Sequence, residues 1–282
     1  MSELHDAVKD GDLERVKLLL DTGTDVNQLD EDGGAALHIA CSSGQTDIVR
    51  ELLKRGADAG IDSDEWEPPL SIAVSNGYVE IAKLLAKHIK MIPDEYGQML
   101  IGFAAASGDL KTLKYAVKAF GPIAYDKTSP RYTPLHWAAQ ENHPEIIEYL
   151  LTLGLDANSI DDVGRTPLFS CLSKEAVDAM RVLLANGANP NFRAGEAKDT
   201  CLQLAAAFNQ CAIAELLLDN GADVDIVDDK ERTPLMTALN HENIDMIKLF
   251  LARGADVMLK NYKGKSAKDL AKTKTKAIRE LF

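Results

Sequence analysis

One leucine organises this chain, because it returns at a nearly constant interval. Leu4, Leu37, Leu70, Ile101, Leu135, Leu168, Leu202 and Leu235 are spaced by 33, 33, 31, 34, 33, 34 and 33 residues, and Lys268 holds the ninth place after a further 33. A fixed interval of this length marks a stack of repeated supersecondary units. The unit is clearest at Thr133-Pro134-Leu135-His136-Trp137-Ala138-Ala139. Thr133 is of helix N-cap type, its oxygen expected to take a free amide of the first turn. Pro134 suits the first helical position, where a missing N–H costs nothing. Leu135 starts an apolar face, and the small Ala138 and Ala139 allow close approach of another helix. Downstream, Glu145 to Leu151 reads as a second amphipathic helix, and Gly154 as its left-handed stop. Such a pair cannot bury both of its faces alone and requires neighbours.

Thr-Pro-Leu returns at 166–168 and 233–235, and the ending Leu-Leu…Gly-Ala-Asp/Asn returns at 52–58, 183–189 and 216–223. In order and spacing these motifs resemble the ankyrin repeat family across essentially all 282 residues. The resemblance implies an all-α solenoid of stacked helix-turn-helix units with connecting β-turn or hairpin loops. It implies a single domain, 1–282: a capping repeat at 1–30, about seven internal repeats over 31–261, and a closing cap at 262–282. It is specific for fold and nearly silent on function, since such scaffolds bind many unrelated partners.

Some repeats depart from the pattern. Gly34-Ala35-Ala36 stands where a capping Thr-Pro would be, so that helix is expected to fray. Trp66 occupies a turn position usually given to glycine. Gly121-Pro122-Ile123-Ala124-Tyr125 replaces the usual Gly-Ala-Asp-Val-Asn turn, and Lys268 replaces a core leucine in the closing cap. The four cysteines form no CxxC pair. Cys41 and Cys171 replace helix-packing alanines, which points to burial, to the absence of a disulfide framework and to a reducing compartment.

Charge is segregated. Residues 1–100 carry a net −11, residues 101–257 a net −8 and residues 258–282 a net +6. An acidic body disfavours nucleic acid, whose binding depends on Lys and Arg displacing counterions. No basic-then-apolar signal opens the sequence, and no apolar run approaches the roughly 18 residues of a membrane span. A cytoplasmic monomer without a membrane partner is therefore expected. Gly264-Lys265-Ser266 resembles the end of a phosphate-binding loop, but Leu259 stands where its first glycine should be. HExxH, GxSxG and clustered His/Cys ligands are all missing, so the reading is of a non-enzyme with no cofactor and no metal. His5, His38 and His136 share one register position and are expected to bridge turns.

A binding surface remains, and aromatic residues locate it. Nine of the sixteen lie between 66 and 137. By register Trp66, Tyr96 and Tyr132 fall on successive turn tips and Phe103 and Trp137 on first helices, with Phe208 farther along the same face. Exposed Trp and Tyr are common interface anchors. Asp62, Asp64, Glu65 and Glu67, with Asp30, Glu31 and Asp32, would form an acidic rim that steers a basic partner. The expected partner is another protein, held by an adaptor; an inhibitor that neutralises a basic toxin or enzyme by tight one-to-one binding is the alternative. Leu19-x5-Asp25-Val26-Asn27 and Leu150-x5-Asp156-Ala157-Asn158 also resemble the target of the asparaginyl hydroxylase that modifies ankyrin repeats, which makes Asn27 and Asn158 candidate hydroxylation sites.

Overall fold

Alternating short helices follow the repeat from end to end of each compact unit. The computed structural model describes residues 2–61, 63, 66–89, 94–120 and 132–282, and for 94–99 and 120 the backbone alone. It divides at residues 124 and 125 into two units. In the first, the leading helices α1 (Glu3–Lys9), α3 (Ala36–Ser42), α5 (Pro69–Ser75) and α7 (Asp94–Ala106) alternate with α2 (Leu13–Asp21), α4 (Thr46–Lys54), α6 (Val79–Ala86) and α8 (Leu110–Phe120). In the second, α9 (Pro134–Gln140), α11 (Pro167–Ser170), α13 (Cys201–Phe208), α15 (Pro234–Asn240) and α17 (Ala267–Ala271) alternate with α10 (Pro144–Thr152), α12 (Val177–Ala185), α14 (Cys211–Asp219), α16 (Ile244–Ala252) and α18 (Lys276–Arg279). A 3-10 turn, Cys171–Ser173, extends α11.

Helices this short are not stable alone in water, so packing must hold them. Leading helix packs on leading helix, α1 on α3, α3 on α5 and α5 on α7, while α2, α4, α6 and α8 form the parallel row. In the second unit α10, α12, α14 and α16 do the same. The recurring Leu4, Leu37, Leu70 and Ile101, and Leu135, Leu168, Leu202 and Leu235, lie in these contacts at no more than 1 % exposure. Full burial of one such side chain is worth about 1.5–3 kcal/mol. The architecture is an all-α stack: among the described residues there are no β-strands, only isolated bridges such as Leu29 with Ala35 and Lys260 with Ser266 at turn tips. The turn of residues 121–125 lies outside the described residues.

The caps differ from the sequence expectation in an informative way. Thr200 and Thr233 accept amides of Gln203 and Met236 at 3.3 Å. Thr133 does not; its backbone N–H donates instead to His136 Nδ1 at 3.2 Å. The same exchange operates at Ala35, which has no side-chain oxygen, where its N–H donates to His38 Nδ1 at 3.0 Å. The imidazole holds the N–H of the cap position itself, and Ala36 is fully buried, so the start of α3 is tied down although no side chain caps its first-turn amides. The cysteines fulfil their expected role. All four are free, with Cys41, Cys171 and Cys201 buried. Burial pushes the Cys41 thiol up to about 12 and raises those of Cys171 and Cys201 as well, which keeps them protonated and unreactive.

The two oddities of the second and third repeats explain one another. The half-buried Trp66 indole lies over Gly34, so close that a Cβ there would sit 2.8 Å from Nε1 and 2.9 Å from Cε2. The ring also tilts against His38, with centroids 5.7 Å apart. Trp66 thus occupies the volume that a side chain at position 34, just before the Ala35 cap position, would fill. Gly34→Ala should force the indole out of place and destabilise the first unit by about 1–3 kcal/mol. Urea denaturation followed by tryptophan fluorescence would show it as a lower midpoint and a red-shifted native emission.

Candidate binding surface

The turns are held in place by side chains that reach from one repeat to the next. His5 Nε2 lies 3.0 Å from the Gly34 carbonyl, and His136 Nε2 lies 2.9 Å from that of Arg165. At the matching position Gln203 donates from Nε2 to the Arg232 carbonyl at 2.8 Å, while Oε1 accepts from the Thr200 N–H at 3.0 Å. The Thr133 N–H donates to His136 Nδ1, which fixes the neutral tautomer with its proton on Nε2, available to Arg165. Burial holds this imidazole below its ordinary value, against the raising influence of the Arg165 carbonyl and of Asp161 and Asp162.

A second row lies in the outer connecting turns. Asn27 Oδ1 accepts from the Asp58 N–H at 2.8 Å, and its Nδ2 donates to the Gly56 carbonyl at 3.4 Å. Asn158 does the same with Asn189 (2.7 Å) and Gly187 (2.9 Å), and Asn191 with Asp223 (2.8 Å) and Gly221 (2.9 Å). Both ends of each amide are therefore occupied, including those of the two candidate hydroxylation sites. In the next turn Asp225 replaces the amide and accepts from the Asp256 N–H at 2.9 Å. Burial raises its carboxyl, and the neighbouring Asp223 and Asp256 carboxylates add to the effect.

These anchored turns carry the tips. Each closes on itself: Asp30 accepts from the Gly34 N–H at 2.8 Å, and Asp161 and Asp228 accept from the Arg165 and Arg232 N–H groups at the same distance. Asp30, expected on the acidic rim, thus spends its carboxylate inside its own turn. Of the other rim residues Glu67 is exposed, and Asp62, Asp64 and Glu65 lie outside the described residues, as does the Tyr96 side chain on α7.

The expected aromatic anchors fall in different units. Trp66 and Phe103 belong to the first and are half-buried; Trp66 is engaged with Gly34 and His38. Tyr132 and Trp137 belong to the second and meet edge to face, with centroids 5.0 Å apart at 78°. The Tyr132 hydroxyl donates to Gln140 Oε1 at 2.6 Å and lies 3.0 Å from Ser170 Oγ. One half-buried tyrosine thereby ties a tip to α9 and α11 on a common surface. On that surface Lys174 pairs with Glu141. One repeat on, at the register position of Lys174, Phe208 projects with 61 % exposure, beside the half-buried Leu204. Tyr262 at the last tip is 56 % exposed. Local aromatic density pointed to residues 66–137, which left Phe208 outside the expected anchors and passed over Tyr262. Their signal was the register position, since each stands where other repeats carry a polar residue. Among the described residues no group of His, Cys, Asp and Glu could hold a metal ion, and no helix is long and apolar enough to cross a membrane.

Comparison with known proteins identifies the repeat. The family model for ankyrin repeats, three copies to a model, matches residues 4–95, 101–194 and 191–261. The chain is 30 % identical over 142 residues to the mouse B-cell lymphoma 3 protein homolog, covering 49 % of this chain and 32 % of that one. It is 33 % identical over 129 residues to human neurogenic locus notch homolog protein 1, with 46 % and 5 % covered. Alpha-latrocrustotoxin-Lt1a of Latrodectus tredecimguttatus is 31 % identical over 189 residues, with 62 % and 13 % covered. The chain spans about a third or less of the length of these relatives.

The equivalence of Gln203 and His136 gives a test of the bridging row. A histidine with a lowered folded-state value contributes stability that is full above its unfolded value of about 6.5 and is lost as pH falls through the folded value. His136→Gln should fold with stability within about 1 kcal/mol of the parent at neutral pH. Below about pH 6.5 the parent should weaken relative to the variant, which has no imidazole to protonate. Parallel urea titrations across this pH range would show the two curves diverge.

Proposed function

Because the chain belongs to the ankyrin repeat family, whose repeats are protein–protein interaction modules, we propose that it is a non-catalytic adaptor for a partner protein. The partner lies across the tips and leading helices. In the second unit its anchors are Tyr132, Trp137 and Phe208; in the first they are Trp66, Tyr96 and Phe103. Asp62, Asp64, Glu65 and Glu67 form a rim that draws in a basic segment, in keeping with the formal net charge of −13. The protein acts in this reading as a cytoplasmic monomer, without cofactor or metal, and Asn27 and Asn158 serve as bridges between repeats.

The observation that carries this reading is the exposure of Phe208. A phenylalanine 61 % open to water gains nothing for its own fold from that position. It stands on the surface that Tyr132 and Trp137 share, one repeat beyond the Glu141–Lys174 ion pair. An exposed aromatic ring on a surface shared with other aromatic residues is the arrangement of an interface anchor.

The test begins with affinity capture from the source cells, followed by titration of the purified partner. Phe208→Ala should leave the circular dichroism spectrum and melting temperature unchanged and weaken binding by about 1–4 kcal/mol. Trp66→Ala, measured in parallel, reports on the first unit. If neither variant changes affinity, the partner does not use this surface. An affinity in the picomolar range with one-to-one stoichiometry would favour the inhibitor over the adaptor.

A further inference from the structure

The last repeat presents a surface unlike any other in the chain. Two register positions show it. The first holds Leu4, Leu37, Leu70, Ile101, Leu135, Leu168, Leu202 and Leu235, all buried, and then the exposed Lys268. The second holds Val8, Cys41, Val74, Ala105, Ala139, Leu172, Ala206 and Leu239, all buried, and then the exposed Lys272. Leu4 and Val8 are buried in the first repeat of all, so these positions face the following repeat. Lys268 and Lys272 therefore stand on the stacking face, where each repeat meets its successor. With Arg279, Ala271 and Phe282 they line a cavity of about 200 Å³ between α17 and α18. Another apolar repeat could not close over it, because burying the unpaired charges of Lys268 and Arg279 is strongly unfavourable.

The tip beside this cavity is also basic and open. Lys274 pairs with Glu242, Lys272 with Asp269 and Lys276 with Glu280, but Lys260, Lys263, Lys265, Lys268 and Arg279 make no ion pair among the described residues. Met258 (60 %) and Tyr262 (56 %) are exposed among them. The last three tips are joined by a backbone bond in one register: the Asp229 N–H donates to the Ala197 carbonyl at 3.0 Å, and the Tyr262 N–H to the Lys230 carbonyl at 3.2 Å. The next acceptor in that row is the Lys263 carbonyl, which accepts from no backbone N–H among the described residues.

We propose that this end of the stack binds an extended acidic segment of a second partner polypeptide. The segment's backbone N–H continues the tip row at the Lys263 carbonyl. Its carboxylates meet Lys268, Lys272 and Arg279 around the cavity, and an apolar side chain rests on Met258 and Tyr262. Three features select this occupant. The cations call for an anion, and residues 1–257, at a net −19, repel one everywhere else. The open carbonyl calls for an N–H donor, which a polypeptide has and an anionic phospholipid surface does not supply in register. The site is separate from the inner face, so the protein can hold a basic and an acidic partner at once.

The probe is a fluorescein-labelled peptide of three Glu-Leu-Glu-Ser repeats, titrated with the full chain by anisotropy at low salt. The peptide should bind, and the Lys268→Gln/Lys272→Gln/Arg279→Gln variant should bind it roughly tenfold more weakly. Arg50→Gln/Lys54→Gln, which removes exposed cations from α4, should bind as the parent does. A peptide N-methylated at every residue should bind several-fold more weakly, because it has no backbone N–H to donate to Lys263. The proposal is overturned if the triple variant stays within about twofold of the parent while circular dichroism shows it folded. It is overturned equally if the N-methylated peptide binds undiminished. Co-sedimentation with phosphatidylcholine–phosphatidylserine vesicles in the absence of peptide binding would assign the face to a membrane and refute it.

Discussion

A side-chain amide that accepts from one backbone group and donates to another, one repeat away, is the interaction on which this structure depends. Apolar burial makes the repeats adhere, because neither face of a short helix pair is covered without a neighbour. Burial has no direction, however, and does not fix how far one unit slides along the next. Asn158 and Asn191, each bonded on both sides, fix that register at the outer turns, and Asn27 does so with a longer second bond. His136 and Gln203 fix it on the other side. Between the two rows the tips are held rigidly enough to present side chains as a surface.

The same economy explains the irregular repeats. Where a capping threonine is missing at Ala35, His38 still ties down the backbone N–H of that position, and where position 34 has no side chain, Trp66 fills the space from the following turn. A departure in one repeat is compensated by its neighbour. This follows from a fold in which each unit touches only the units beside it. Function can then be placed on tips and inner helices with little consequence for the stack, which is why aromatic and charged residues vary there while the leucine row does not.

The stack itself was legible in the sequence because it rests on periodicity. The spacing of Leu4 through Leu235 located every leading helix, the Gly and Thr-Pro signals located their ends, and Lys268 marked the closing surface. The binding surface was legible only in part. Trp66, Trp137 and Tyr132 were placed correctly along the chain, but register cannot say how much of a ring is taken up by its own fold. Trp66 rests on a glycine 32 residues earlier, and Tyr132 reaches Ser170, 38 residues away. Such contacts depend on the geometry of two repeats together. Register placed Phe208 on the same face but outside the aromatic-rich stretch; its exposure depends on what the adjacent repeats place beside it.

Asp225 offers the most direct test of the inter-repeat rows. At the three equivalent turns an asparagine supplies both an acceptor and a donor, whereas the carboxylate of Asp225 supplies acceptors only and crowds Asp223 and Asp256. A carboxyl raised in the folded state contributes stability that is present at low pH and lost as pH rises through its folded-state value, so at neutral pH it carries its full penalty. Asp225→Asn restores the donor toward the Gly254 carbonyl and removes the charge. Chemical denaturation at neutral pH should show the variant more stable by about 1 kcal/mol, with the advantage shrinking under acid conditions. A variant equal to or weaker than the parent at neutral pH would contradict the claim that these side-chain bridges hold the stack in register.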